Sequence, residues 1–252
     1  MAQRKFNIVD PKLEFEQIEQ RQRLAKRSLI GGSLEKRREF GKASGVQGEF
    51  ILDPIFIDAD LQRAREHCAP DPLRPLVIEI GFQMGVFATA YCLREPNARY
   101  IGFEVRRKFC EEANARLLKH SVPNALLCLV DAREMLSFLV EPATLDELFV
   151  FFPDPWWKYK HIRKRLISED FIENAVKILK PGGRLLLKTD VYDYSTWAEG
   201  MLRENMNFDV TRLDDPRADL PPTLRERRCM GRGEATYAVQ AIRRITPTEN
   251  AK

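Results

Sequence analysis

Three acidic residues stand at spacings that suit a nucleoside. Glu79 opens the run Glu79-Ile-Gly81-Phe-Gln83-Met-Gly85, Glu104 follows Gly85 by nineteen positions, and Asp131-Ala132 comes later in the chain. Glycine at 81 permits a sharp turn, and glycine at 85 lets backbone approach a ligand or a helix closely. The G-x-x-x-G fragment is weak alone, because glycine-softened turns are common in α/β proteins. A carboxylate placed like Glu104 can accept from both hydroxyls of a ribose, one on each oxygen. Asp131 can receive the exocyclic amine of an adenine. The turn is a poor cradle for pyrophosphate. It lacks G-x-G-x-x-G spacing, and Glu79 puts negative charge where a phosphate would lie. An amine-bearing, zwitterionic tail suits Glu79 better, which favours S-adenosylmethionine over NAD.

A second constellation lies downstream. Phe151-Phe-Pro-Asp154-Pro-Trp156 is followed by Lys158-Tyr-Lys160-His161-Ile162-Arg163-Lys164-Arg165, with five formal positive charges and no acid. An isolated Pro-Asp-Pro is more often a turn, and a charge run is often only a solvated face. Together with Trp156 they read instead as a base-binding loop, on which Trp156 and Trp157 can stack a base while at least one of them packs inward. His161 has no partner spacing that would make it a metal ligand. A third group is Thr223-Leu224-Arg225-Glu226, preceded by Pro221-Pro222 and continued by Arg227, Arg228 and Arg232. Thr223 and Glu226 also have the spacing of a helix capping box. No Ser/His/Asp or Cys/His constellation accompanies them.

The elements that would position these residues alternate. Short apolar runs predict strands over 76–80, 100–105, 125–130, 145–152 and 184–189, with helices over 86–93, 106–119, 132–140 and 168–179 between them. Pro181-Gly182-Gly183 reads as a turn into the fifth strand, and Ser168 as a helix cap before Glu169 and Asp170. A helix near 194–205 and strands near 208–213 and 235–243 complete a doubly wound, mostly parallel seven-stranded α/β sheet with helices on both faces. Such a sheet binds its ligand at the carboxyl ends of its strands, where every residue named above falls or in the late loops. Residues 1–70, rich in charge, read as a basic N-terminal extension and residues 71–252 as the domain.

Composition narrows the class. The chain has 252 residues and a formal net charge of +4. Its five cysteines (Cys68, Cys92, Cys110, Cys128, Cys229) are dispersed, which fits neither a metal site nor a disulfide framework and suits a reducing cytoplasm. No apolar run approaches a membrane span, and the first residues do not read as a secretory signal.

The segments Glu79-Ile-Gly81-Phe, Ile101-Gly-Phe-Glu104, Asp131-Ala132, Phe151-Phe-Pro-Asp-Pro-Trp156, Lys188-Thr-Asp190 and Thr223-x-x-Glu226-x-Arg228 resemble the tRNA (guanine-N7-)-methyltransferase family over roughly residues 76–243. The resemblance implies a Rossmann-like class I methyltransferase using S-adenosylmethionine, with tRNA as partner and no metal, as a monomer or homodimer. It implies cofactor contacts from Glu79, Gly81, Gly85, Glu104, Asp131, Ala132 and Asp154. Lys158, Asp190 and Thr223 to Glu226 would hold the target guanine, and Lys160, His161, Ile162, Arg163, Lys164 and Arg165 would meet RNA. The guanine would be one in the variable loop. Its N7 carries a lone pair and no proton, so no general base is needed, and Asp154 is the candidate to stabilise the charge the ring acquires. Asp190 would hold the Watson–Crick edge. One position departs: the family usually has glycine where this chain has Gln83, which is expected to take an ordinary φ and point away from the cofactor tail. The rival readings are an amino-methyltransferase, whose D/N-P-P-Y/F motif Trp156 does not match, and an RNA-binding protein that has lost transfer.

Overall fold

Neighbouring residues of a strand point to opposite faces, and along this chain that alternation sorts the apolar residues into two cores. The computed structural model describes residues 51–52, 64–157, 159–215 and 219–245. Among the described residues there is one sheet of eight strands: β1 (Ile51–Leu52), β2 (Leu76–Ile80), β3 (Arg99–Glu104), β4 (Ala125–Leu129), β5 (Leu145–Phe151), β6 (Leu179–Thr189), β7 (Phe208–Leu213) and β8 (Tyr237–Arg243). Their order is β1-β4-β3-β2-β5-β6-β8-β7, and β8 alone runs antiparallel to its neighbours β6 and β7. Between the strands lie α1 (Val86–Arg94), α2 (Arg107–Lys119), α3 (Ala132–Leu139), α4 (Glu169–Ile178), α5 (Tyr192–Glu204) and α6 (Leu224–Arg232).

Ile78, Ile101, Leu148 and Leu185 face one core with Leu136 of α3, Phe171 of α4 and Ala198 of α5. Val77, Tyr100, Phe149 and Leu186 face the other with Phe87 of α1 and Ala113 of α2. Burying each large apolar side chain contributes roughly 1.5–3 kcal/mol. A one-residue slip would send both sets to the wrong face, so the two cores fix the register. Helices on both faces of a mostly parallel sheet are the expected doubly wound arrangement.

Seven strands match the sequence expectation. The eighth, β1, pairs with β4 (Ile51 with Leu127, Leu52 with Cys128) and comes from the segment assigned to the N-terminal extension. Two residues are too few to show periodicity. Residues 64–68 of that segment are helical, with Ala64 and Cys68 buried in the first core. The other large difference is β6, which begins at Leu179 rather than Arg184. Leu145 pairs with Leu179 and Glu147 with Arg184, so Lys180-Pro-Gly-Gly183 bulges from a strand that continues through it. Ser168 caps α4 by accepting from the Phe171 N–H, as its sequence predicts. No helix among the described residues is long and apolar enough to cross a membrane.

Candidate active site

The strand order reverses between β2 and β5, and the loops leaving these strands part there to form a cleft. The cleft has a volume of about 610 Å³ and is lined by Gly81, Gln83, Glu104, Asp131, Ala132 and Asp154, among others. That is within the size range of small-molecule sites.

The turn after β2 is pinned at several points. Gly81 has a φ of 82°, and its N–H donates to the Phe103 carbonyl at 2.7 Å. Gly85 has a φ of 67° and begins α1; a Cβ there would lie 2.8 Å from the Ala113 Cβ of α2. Glycine at 85 therefore serves helix packing rather than ligand approach. Glu104, at the end of β3, is 6% exposed. Its Oε1 accepts from the Val105 and Arg106 N–H groups at 2.9 and 3.0 Å, and its Oε2 from Gln83 N–H at 3.2 Å. Burial pushes its carboxyl above the usual range, and these N–H donors pull it back. Both oxygens keep further lone pairs for a ligand. Asp131 caps α3 by accepting from Arg133 N–H at 3.0 Å, and the Arg133 guanidinium also lies on it.

Glu79 is 2% exposed and accepts a hydrogen bond from the Tyr100 hydroxyl. Burial pushes its carboxyl up to about 8; the Tyr100 bond opposes this, and Glu104 and Glu226 add to it. Glu79 opens onto a narrow pocket shared with Gln83, Thr223, Leu224 and Arg225, which adjoins the cleft through Gly81, Gln83, Phe151 and Phe152.

The loop after β5 is strained. Phe152 and Trp156 have φ values of 51° and 43°, a left-handed region that side chains this bulky rarely enter. Three ties hold it. Phe152 N–H donates to the Lys188 carbonyl at 2.7 Å, Arg165 Nε donates to the Pro155 carbonyl at 2.9 Å, and the Lys164 ammonium lies 5.0 Å from the Trp156 ring centre. Such strain, kept by surrounding contacts, is common at functional sites. Asp154 is exposed at the lip of the cleft. Trp156 is half-buried beside it and Trp157 is 61% exposed, so neither packs into the core.

Several expected ligand residues are otherwise engaged. Thr223 and Glu226 do form the capping box of α6, with Thr223 Oγ1 accepting from Glu226 N–H and Glu226 Oε2 from Thr223 N–H. Glu226, however, is fully buried and pairs with Lys188 at 2.8 Å. It cannot touch a guanine directly, and it holds Thr223 from beneath. Asp190 is held by Arg225, whose Nε donates to Oδ2 at 2.8 Å. Arg165 stacks on Trp197 at 4.5 Å and Tyr194 at 5.6 Å, so it anchors the loop instead of standing in solvent. Ile162, Arg163 and Lys164 are exposed on a 3-10 turn, Tyr159–Lys164. Lys158 and the side chains of Lys160 and His161 lie outside the described residues. Gln83 has a φ of 49°, which overturns the expectation of an ordinary value there. Tyr100 and Lys188 reach Glu79 and Glu226 across 21 and 38 positions of sequence, a separation that no local pattern reveals.

The residues present fit S-adenosylmethionine. Glu104 offers a forked acceptor for a ribose, Asp131 an acceptor and Ala132 an apolar surface for an adenine, and Glu79 a buried acid for an amine.

A methyltransferase family model (Methyltransf_4) matches residues 73–239. The tRNA (guanine-N(7)-)-methyltransferase of Myxococcus xanthus is 33% identical over 175 residues, covering 67% of this chain and 84% of that protein. That of Treponema pallidum is 32% identical over 176 residues, 70% of this chain and 69% of its own length. That of Rhodopirellula baltica is 40% identical over 126 residues, and the match spans 48% of this chain and 46% of that protein. Glu79, Glu104, Asp131, Asp154, Asp190 and Thr223 all lie within the family match. The chain belongs to the tRNA (guanine-N(7)-)-methyltransferase family, enzymes that take their methyl group from S-adenosylmethionine.

Proposed function

We propose that the cleft holds S-adenosylmethionine and that the chain methylates N7 of a guanine in the variable loop of tRNA, with Asp154 beside the reacting base. When bound, the cofactor supplies an electrophilic methyl on a sulfonium, open to a lone pair that needs no deprotonation. The observation that carries this reading is the position of Asp154. It lines the same cleft as Glu104 and Asp131, on a loop tied down by Lys188 and Arg165.

Glu104 takes the ribose hydroxyls, Asp131 the adenine amine and Glu79 the amine of the amino-acid tail. Asp154 places a carboxylate where the guanine ring gains positive charge, which stabilises the transition state more than the ground state. Asp190 accepts from N1–H and the exocyclic amine of the guanine through Oδ1 and the remaining lone pair of Oδ2, while Arg225 keeps its place on Oδ2. Arg163 and Lys164, with the exposed Arg227 and Arg228 of α6, contact phosphates and orient the RNA. Holding both reactants in one geometry supplies much of the acceleration, which suits a site without a base.

Transfer of label from S-adenosylmethionine to unmodified tRNA, followed by nucleoside analysis, tests the reading. It requires 7-methylguanosine, located to the variable loop by nuclease mapping. Methyladenosine as product, or bound tRNA without any label, contradicts it.

A further inference from the structure

Gln83 sits in the turn between β2 and α1 with a φ of 49°, a conformation that glycine would take without strain. The turn around it is fixed. Gly81 N–H donates to the Phe103 carbonyl, Gly85 N–H to the Phe82 carbonyl at 2.9 Å, and Arg116 Nε to the Met84 carbonyl at 3.0 Å. The left-handed backbone at Gln83 aims its N–H at Glu104 Oε2. A glycine would make that bond equally well, so the backbone does not account for the side chain.

The side chain lies where two spaces meet. With Gly81, Phe151 and Phe152, Gln83 lines both the large cleft, which holds Glu104 and Asp131, and the narrow pocket, which holds Glu79 and Thr223. It is half-buried, and its carboxamide makes no hydrogen bond among the described residues. A half-buried amide without partners in a fixed turn has donors to give to a ligand.

We propose that Gln83 is a cofactor-binding residue of this chain, its carboxamide N–H donating to the α-carboxylate of the amino-acid tail. The inference rests on placing the nucleoside by Glu104 and Asp131. Glu79 matches the ammonium of that tail, but the carboxylate beside it needs a donor, and the acids of the site have none to offer. Arg225 of the narrow pocket is committed to Asp190. Gln83 puts a neutral donor where the cleft and the narrow pocket meet.

The test is calorimetry with two ligands, S-adenosylhomocysteine, which has the tail, and 5′-methylthioadenosine, which lacks it. The proteins are the wild type, Gln83→Ala, Gln83→Gly and Gln83→Glu. Loss of one hydrogen bond to a charged group weakens binding by about tenfold or more. Ala and Gly are expected to weaken S-adenosylhomocysteine by about that factor, and Glu by more through like charge, with methylthioadenosine within about twofold throughout. Unchanged or tighter S-adenosylhomocysteine binding by the Ala and Gly variants would overturn the proposal, as would an equal loss for both ligands. A wild type that binds neither ligand overturns the nucleoside placement itself.

Discussion

Lys188 and Glu226 meet at 2.8 Å with both side chains 1% exposed, joining β6 to the first turn of α6. The lysine has further contacts here. Its carbonyl accepts from Phe152 N–H, and its ammonium lies 5.3 Å from the Phe151 ring centre. One residue thus touches both sides of the site, the loop that carries Asp154 through its carbonyl and the helix start that carries Thr223 through a buried ion pair.

Removing one partner should leave an uncompensated buried charge. Glu226→Gln is expected to destabilise the fold by about 3–5 kcal/mol, and Lys188→Met with Glu226→Leu by much less, because burying a matched pair is itself costly. Urea unfolding of the single and double variants measures this. A single variant as stable as the wild type contradicts the structural role assigned to the pair.

Glu79 predicts a pH dependence. Its carboxyl is raised from 4.5 to about 8 in the fold, chiefly by burial. Between those values the unfolded chain has released a proton that the folded one keeps. The contribution of Glu79 is therefore fully present below about 4.5 and is lost as pH rises through about 8. Glu79→Gln should flatten the fall in stability across that window. Urea midpoints from pH 5 to 8.5 check it, and identical slopes in both proteins speak against a protonated Glu79.

The basic run should divide into two behaviours. Arg163 and Lys164 are exposed, whereas Arg165 is bonded to Pro155 and stacked on Trp197. Neutralising Arg163 and Lys164 should weaken tRNA binding and lower its salt dependence by about one unit of slope per lost phosphate contact. Arg165→Ala should mainly slow transfer by freeing the Asp154 loop, with the salt slope nearly kept. Filter binding across a salt series, beside single-turnover rates, separates the two. Equal slope losses for Arg165 and Arg163 contradict the division.

This contrast marks how far the sequence could be read. Alternating apolar runs located seven strands and their helices, mostly within two residues, and of the acids at strand ends Glu104 and Asp131 line the cleft and Glu79 the narrow pocket. Local chemistry predicted the Thr223–Glu226 capping box correctly, because its partners are three residues apart. It could not reveal that Glu226 turns inward to Lys188, nor that Arg225 lies on Asp190 35 positions away. Nothing in a run of charges distinguishes a guanidinium stacked on Trp197 from one in water. Gln83 was visible as a departure from glycine, but its left-handed φ follows from the pinned turn, which only the tertiary contacts supply.

Asp154 is proposed to act on a guanine N7 at the lip of the cleft. The most direct test is single-turnover transfer to unmodified tRNA by the wild type and Asp154→Ala, with nucleoside analysis of both products. The wild type is expected to yield 7-methylguanosine. Loss of a group that stabilises transition-state charge predicts a rate lower by about 100-fold or more from the variant, at an unchanged unfolding midpoint. Near-normal 7-methylguanosine formation by Asp154→Ala, or label found on adenosine, would contradict it.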